Sequence, residues 1–424
     1  LYHRYAGVLT LMATQLLSND RSCVEGSALR REIATLYFRS SNMDFRISEE
    51  QELLLDSLQE VLDRHCKPEY IATCYNNHET PVEFFEAMNE AGFGMLGIPE
   101  EYGGVPTDAL TFVLIAEAIT KHGGPHFGFG NALQVDDMLE FGSPKQVEIT
   151  MNLLQKGKSA FFLGFSEPQS GSDNSSIATT FQRKNGKVYI NGHKTFMTGA
   201  EDYPYMLCMA RNADENEEDK TSAFTMWWVD MTKPGVKVVP IEKIGWNMQS
   251  TCEVYLEDVE LDEEDLVGVE GNGFLQTMKN FEIERLVMAA KVVGMAECAF
   301  EDAARYANQR MQFGKPIGKF QLIQEKIVRM KIKIENMRNM IYKCAWEKDN
   351  GIPVRNSAAL AKLYCAQSAN EVIDDAMQIM GGIGYTKDCR ISRLWRDARV
   401  FRIGGGTDEI MIHIAGRGIL EEYK

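Results

Sequence analysis

The sequence predicts an α+β fold in three parts: helical, then β, then helical again. Three observations carry this. Helical apolar spacing begins after Met43 and recurs to about residue 156. Strand-like segments and an Asn-Gly turn replace it after Ala160. From Gly273 to the end the spacing is helical again, in long segments broken near Gly314–Gly318, Asn350–Pro353 and Gly381–Tyr385. The expected domains are 43–159, 160–272 and 273–424, the last a helical bundle.

The first part opens with a capping box, Ser48-Glu-Glu-Gln51, ahead of an apolar stripe of Leu53, Leu54, Leu58 and Leu62. Further helices are expected over Val82–Ala91, 108–121 and 144–156, while Gly92–Gly104 holds too much glycine for a helix. In the second part Thr180–Arg183 and Val188–Asn191 flank the hairpin turn Lys184-Asn-Gly-Lys187. Strands are expected at Tyr205–Ala210, Ala223–Val229, Val236–Pro240 and Thr251–Leu256, in an antiparallel domain.

Residues 1–42 show no consistent periodicity and contain no initiator Met. Gly7–Leu17 is mildly apolar without a cleavage pattern, and Thr35–Asn42 resembles a protease-site linker. This stretch is expected to be a non-native or disordered extension, with Met43 as a natural start.

Composition narrows the function classes. A net charge of −16 argues against a nucleic-acid binder. No stretch approaches the roughly 20 apolar residues of a membrane span. Nine Cys without metal-like spacing point to a reducing compartment, so a cytoplasmic protein and no metal site are expected.

The chain is organised around Asn280–Arg285. Phe274, Met278, Phe281, Met288, Val292 and Met295 mark one helix face, and Glu284 and Arg285 fall on it while Glu282 does not. A carboxylate in an apolar seam carries a desolvation cost, and its pKa moves up towards the range of a general base. Spacing alone favours a structural Glu284–Arg285 pair over a catalytic one.

Five further segments need a common explanation. They are Gly164-Phe-Ser-Glu-Pro-Gln-Ser-Gly-Ser-Asp173, Lys194-Thr-Phe-Met-Thr198, Arg310-Met-Gln-Phe-Gly-Lys315, Met380-Gly-Gly-Ile-Gly-Tyr385 and Gly404-Gly-Gly-Thr-Asp-Glu409. Each alone is an ordinary turn, strand or helix end, and neither Gly run has a P-loop or Rossmann context. Together, in this order, they resemble the acyl-CoA dehydrogenase family across Met43–Lys424. Phe300–Arg310 and Leu394–Arg399 are most similar to the bacterial crotonobetainyl-CoA reductase branch.

The resemblance implies a C-terminal four-helix bundle, bound FAD, an acyl-CoA thioester substrate, an electron-transfer flavoprotein as redox partner and a homotetramer. It also implies roles. Phe165, Ser166, Phe196 and Thr198 match residues around the flavin ring, and Ser172 one near the flavin and CoA phosphates. Arg310, Gln312 and Phe313 match a segment reaching the FAD of a neighbouring subunit, and Gln378, Gly381 and Gly382 the backbone turn around that FAD. Thr407 and Glu409 match adenosine-side contacts, with Glu409 where Gln is common. Phe281 and Arg285 are expected beside the substrate.

One departure matters. Many relatives carry the catalytic Glu directly before the Gly-Thr that is here Gly406-Thr407, where this chain has Gly405. A second group, with isovaleryl-CoA dehydrogenase, takes its base from the bundle helix directly before an Arg, which is Glu284 here. The resemblance therefore implies α-proton abstraction by Glu284, hydride loss from the β carbon to flavin, and a thioester carbonyl held in part by the Gly405 N–H. The reverse reaction would reduce a 2,3-enoyl-CoA. A Glu at 405 is expected to replace Glu284 only if glycine is not needed there for its backbone. The competing readings are an acyl-CoA oxidase and an inactive acyl-CoA-binding homologue.

Overall fold

The computed structural model describes residues 46–128, 132–213 and 224–424, except the side chains of 132–133 and 277–280. The expected extension at 1–42, and the Met278 and Asn280 side chains, lie outside the described residues.

Glu49–His65 (α1) starts directly after Ser48 and buries Leu58 and Leu62. Leu53 of the expected stripe is instead 69% exposed, because it lies off the face that packs. Pro68–Asn77 (α2) follows, a short helix entered at proline, and then Val82–Glu90 (α3). Ala109–Lys121 (α4) begins where Asp108 caps the Thr111 N–H. Ala132–Phe141 (α5) and Pro144–Leu154 (α6) complete the first part. The sequence reading missed α2 and α5. Both are ten residues long.

The β part is one sheet. Its strands are Phe161–Gly164 (β1), Thr180–Lys184 (β2), Lys187–Thr198 (β3), Tyr205–Asn212 (β4), Phe224–Asp230 (β5), Val236–Pro240 (β6), Thr251–Leu261 (β7) and Leu266–Val267 (β8). The order is β6-β7-β3-β2-β4-β5-β8, with β1 beside β4. Lys184 pairs Lys187 across the Asn-Gly turn, where both turn residues have positive φ. The sheet is not purely antiparallel, since β1 and β2 both run parallel to β4. Strand spacing in sequence carries no information on that direction.

Gly273–Gln309 (α7) is the central helix of the last part, with Gln321–Asp349 (α8), Arg355–Met380 (α9), Arg390–Val400 (α10) and Asp408–Glu422 (α11) around it. The largest apolar cluster joins α7, α8, α9 and α10 to Phe112, Val113 and Ala116 of α4. The two parts cross closely at Gly294, where a Cβ would lie 2.2 Å from the Glu117 carbonyl oxygen. Buried Glu117 accepts from Arg338 Nε at 2.6 Å and Tyr342 Oη at 2.8 Å, which fixes α4 on α8.

All three parts meet at Asp397. Its carboxylate accepts from Tyr75 Oη at 2.9 Å and from the Trp246 N–H at 2.7 Å. The site motifs are thus carried on a frame with polar ties as well as apolar ones. No helix among the described residues is long and apolar enough to cross a membrane.

Candidate active site

The loop Phe165–Asp173 is pinned from beneath. Buried Glu167 accepts from Lys194 Nζ at 2.7 Å, the Ala178 N–H at 2.6 Å, and the Thr179 N–H and hydroxyl at 3.0 and 2.5 Å. Burial pushes the Glu167 carboxyl up, but the Lys194 charge and the hydrogen bonds from Lys194, Thr179 and the Ala178 N–H together hold it below its usual range. Lys194 also donates to the Met209 carbonyl at 2.8 Å, and the Thr195 N–H donates to the Ser166 carbonyl at 2.9 Å. Two motifs far apart in sequence are therefore one unit.

Along β3 the register slips between Lys194 and Met197. Phe196 sits in that irregularity with φ +60°, unusual for a bulky residue, and is 66% exposed. Thr198 is half-buried, its hydroxyl 3.4 Å from that of Thr251. Ser172 is exposed on the loop, and Phe165 and Ser166 are half-buried. Phe165 meets Phe281 of α7 edge-on, with ring centroids 6.2 Å apart. That contact brings the β-sheet motifs to the helix that carries Glu284.

On α7, Glu284 is half-buried and Arg285 buried. Burial pushes the Glu284 carboxyl above the usual carboxylate range, against the pull of Arg285, Lys291 and Lys362. Arg285 lies over the Phe281 ring at 5.6 Å, and its Nε has no hydrogen-bond partner among the described residues. A structural Glu284–Arg285 ion pair does not form, because adjacent helix residues do not face each other.

Facing α7 is the loop Gly404–Gly406. Gly405 has φ +63°, and a Cβ there would lie 2.5 Å from Met288 Sδ. Lys362 of α9, almost fully buried, donates to the Gly406 carbonyl from below. Burial lowers its ammonium to about 8, with Asp408 resisting. Thr407 caps α11, its hydroxyl accepting from the Ile410 N–H at 3.3 Å. Glu409 is exposed in the first turn, and bonds from its own N–H and the Thr407 hydroxyl hold its carboxyl low.

The remaining motif residues stand away from this cluster, at the surface. Arg310 caps the end of α7, its N–H donating to the Tyr306 carbonyl at 2.8 Å, and a short hairpin follows it directly. Met311–Gln312 (β9) pairs Lys315–Pro316 (β10), and the turn residues Phe313 and Gly314 have φ +49° and +76°. Phe313 is 92% exposed. Arg310 and Gln312 are exposed beside it. Gln378, Gly381 and Gly382 are exposed at the end of α9. Gly381 has φ +62°, and a Cβ there or on Gly382 would meet nothing within 4 Å.

These features fit FAD. An exposed aromatic held at strained φ, an open glycine turn and an unsatisfied Arg285 Nε are what a large planar, phosphate-bearing cofactor and its substrate would use. Among the described residues no cluster of His, Cys, Asp or Glu could hold a metal.

Sequence reasoning missed Lys362, Lys194, Glu167 and the Met288–Gly405 contact. Lys362 did leave a signal, since it lies four residues after Ala358 and three before Cys365 on a face of small apolar residues. The Met288–Gly405 contact left none, being purely tertiary.

The comparisons agree along the whole described chain. Residues 48–158, 163–259 and 271–420 match the acyl-CoA dehydrogenase N-terminal, middle and C-terminal domains. The chain is 57% identical over 383 residues to the probable acyl-CoA dehydrogenase YdiO of Escherichia coli, covering 90% of this chain and 100% of that one. Butyryl-CoA dehydrogenase from Megasphaera elsdenii is 28% identical with TM-score 0.81, covering 89% of this chain and 100% of that one. A chain from work on the electron transferring flavoprotein of Acidaminococcus fermentans is 31% identical with TM-score 0.82, at 89% and 100% coverage. The chain belongs to the acyl-CoA dehydrogenase family, FAD-dependent oxidoreductases acting on CH–CH groups.

Proposed function

We propose that the protein interconverts an acyl-CoA and its 2,3-enoyl-CoA with Glu284 as the group that moves the α proton. One observation carries this. At Gly405 a side chain would need the left-handed φ of +63° and would displace the Met288 thioether, while Glu284, one turn before Met288, presents a carboxylate from the facing helix. Its raised pKa suits a group that must take a proton in one direction and return it in the other.

The other residues then have supporting tasks. The Gly405 N–H is a donor for the thioester carbonyl, and Lys362 keeps its loop in place through Gly406. Arg285 and Phe281 flank the acyl-CoA, with Ser172 on the CoA side. Phe165, Ser166, Phe196 and Thr198 would hold the flavin ring, and Thr407 and Glu409 its adenosine side. Bound FAD supplies the acceptor for the β hydrogen. The Arg310–Phe313 hairpin and the Gln378–Gly382 turn, both exposed, would complete the FAD site of a second copy in a homotetramer. An electron-transfer flavoprotein is the redox partner. Free thiols at every described Cys favour the cytoplasm.

Kinship of Phe300–Arg310 and Leu394–Arg399 with crotonobetainyl-CoA reductases favours the reductive direction. Those segments say nothing about the acyl tail. They contribute Asp302, which pairs with Arg390 at 2.6 Å, and the Asp397 junction, both of them scaffolding.

Anaerobic titration of the yellow protein with an acyl-CoA tests the proposal. Bleaching of the flavin is expected, and an unreduced flavin with every acyl-CoA would favour the inactive homologue. Peroxide formed stoichiometrically in air would favour the oxidase.

A further inference from the structure

We infer that Arg402 and Asp408 are positioning residues for the reaction: their ion pair brackets the glycines between them and fixes the Gly405 N–H for the thioester carbonyl. The inference rests on the reading of Gly405 as a carbonyl donor. The run Gly404–Gly406 has no side chains with which to hold itself, and glycine has the most backbone freedom to lose. A donor stabilises a developing oxyanion only if it is fixed before the reaction. Groups outside the glycines must therefore fix it.

Gly405 is exposed, and its N–H donates to nothing among the described residues. Backbone groups on either side of it are engaged. The Gly404 N–H donates to the Val400 carbonyl at 2.8 Å, and the Asp408 N–H to the Arg402 carbonyl at 3.2 Å. Lys362 Nζ donates to the Gly406 carbonyl. The one donor left over in this stretch is thus the one the reaction would use.

The ends of the loop are tied by charge. Arg402 Nε donates to Asp408 Oδ2 at 2.8 Å, and Arg402 Nη2 stands 2.7 Å from the same oxygen. Gln367 of α9 donates to that oxygen at 3.1 Å. Asp408 is buried, and a buried carboxylate needs such partners. Helix α11 does not need the pair for its own start, because Thr407 caps it and exposed Glu409 puts an acid in its first turn. What the pair joins is the residue before the glycine loop to the residue after it. From below, α9 holds the same loop through Lys362 and Gln367.

Difference infrared spectroscopy of the FAD-loaded protein with crotonyl-CoA, isotopically labelled at its thioester carbonyl, tests this beside the rate of flavin reduction by butyryl-CoA. In wild type the bound carbonyl should absorb at lower frequency than in solution, because a fixed donor polarises it. Arg402→Met should move it at least halfway back. Flavin reduction should slow at least about tenfold, the scale of a slightly misplaced group. KM should stay within about twofold, because the carbonyl bond strengthens in the transition state. Arg402→Lys keeps the charge and should recover part of both signals. An unmoved carbonyl in Arg402→Met, whether or not the rate falls, overturns the inference and leaves Glu284 and Gly405 in their roles. An unshifted carbonyl in wild type, or failure of crotonyl-CoA to bind, overturns the reading of Gly405 instead. Asp408→Asn keeps size and removes the charge, so it decides if Arg402→Met does not fold.

Discussion

Met288 Sδ occupies the space a side chain on Gly405 would need, 2.5 Å from where its Cβ would stand. The two residues belong to facing elements, α7 and the loop before α11. Glu284 lies one turn before Met288, so the same helix that closes the loop to a carboxylate supplies one.

Glu284→Gln keeps size and removes the proton acceptor. Flavin reduction by substrate, followed by anaerobic stopped flow, should fall at least about 10²-fold while FAD stays bound. Glu282→Gln should change little. A wild-type rate in Glu284→Gln would place the base elsewhere.

Adding Gly405→Glu to Glu284→Gln should not restore activity. Both the positive φ and Met288 oppose it. Gly405→Ala alone should cost about 1–3 kcal/mol in denaturant unfolding, the range for a strained backbone site. Met288→Ala should relieve part of that cost. Full rescue by Gly405→Glu would show that the loop relaxes freely.

Lys362→Met tests the support under that loop. Loss of a nearby cation should raise the Glu284 carboxyl further, so the alkaline-rising limb of dehydrogenation should move to higher pH. A fall in rate at an unmoved limb would leave Lys362 with the loop alone.

The raised Glu284 also has a stability consequence. Its folded pKa lies above the unfolded value, so the folded state holds more protons between the two. Stability is therefore lost as pH rises through that window, and the ionised group is a cost above it. Thermal melts should show Glu284→Gln less sensitive to pH there, with a midpoint at or above that of wild type at pH 8.

Glu167→Gln breaks the buried pair with Lys194 and leaves the lysine charge uncompensated. The expected loss is about 3–5 kcal/mol, measured by denaturant unfolding. Weaker FAD retention should accompany it, because the Phe165–Asp173 loop loses its anchor.

Local patterns along the chain determine much of this protein. The 3.6-residue period of α7 sets Glu284 on an apolar face, and the Asn185-Gly186 turn sets the β2–β3 register, because both depend on neighbours within a few residues. The motifs Gly164–Asp173, Lys194–Thr198 and Gly404–Glu409 are legible in the sequence, and their order is enough to indicate the family. Tertiary structure decides the rest. How far the Glu284 carboxyl is raised, why residue 405 is glycine, and that Lys362 puts positive charge near the carboxylate all depend on elements 70 to 120 residues apart, or on burial that packing alone creates. The parallel pairing of β1 and β2 with β4 is of the same kind. A sequence period reports which face of an element is apolar; it does not report what lies against that face, and the energy of a buried charge is set by what lies against it.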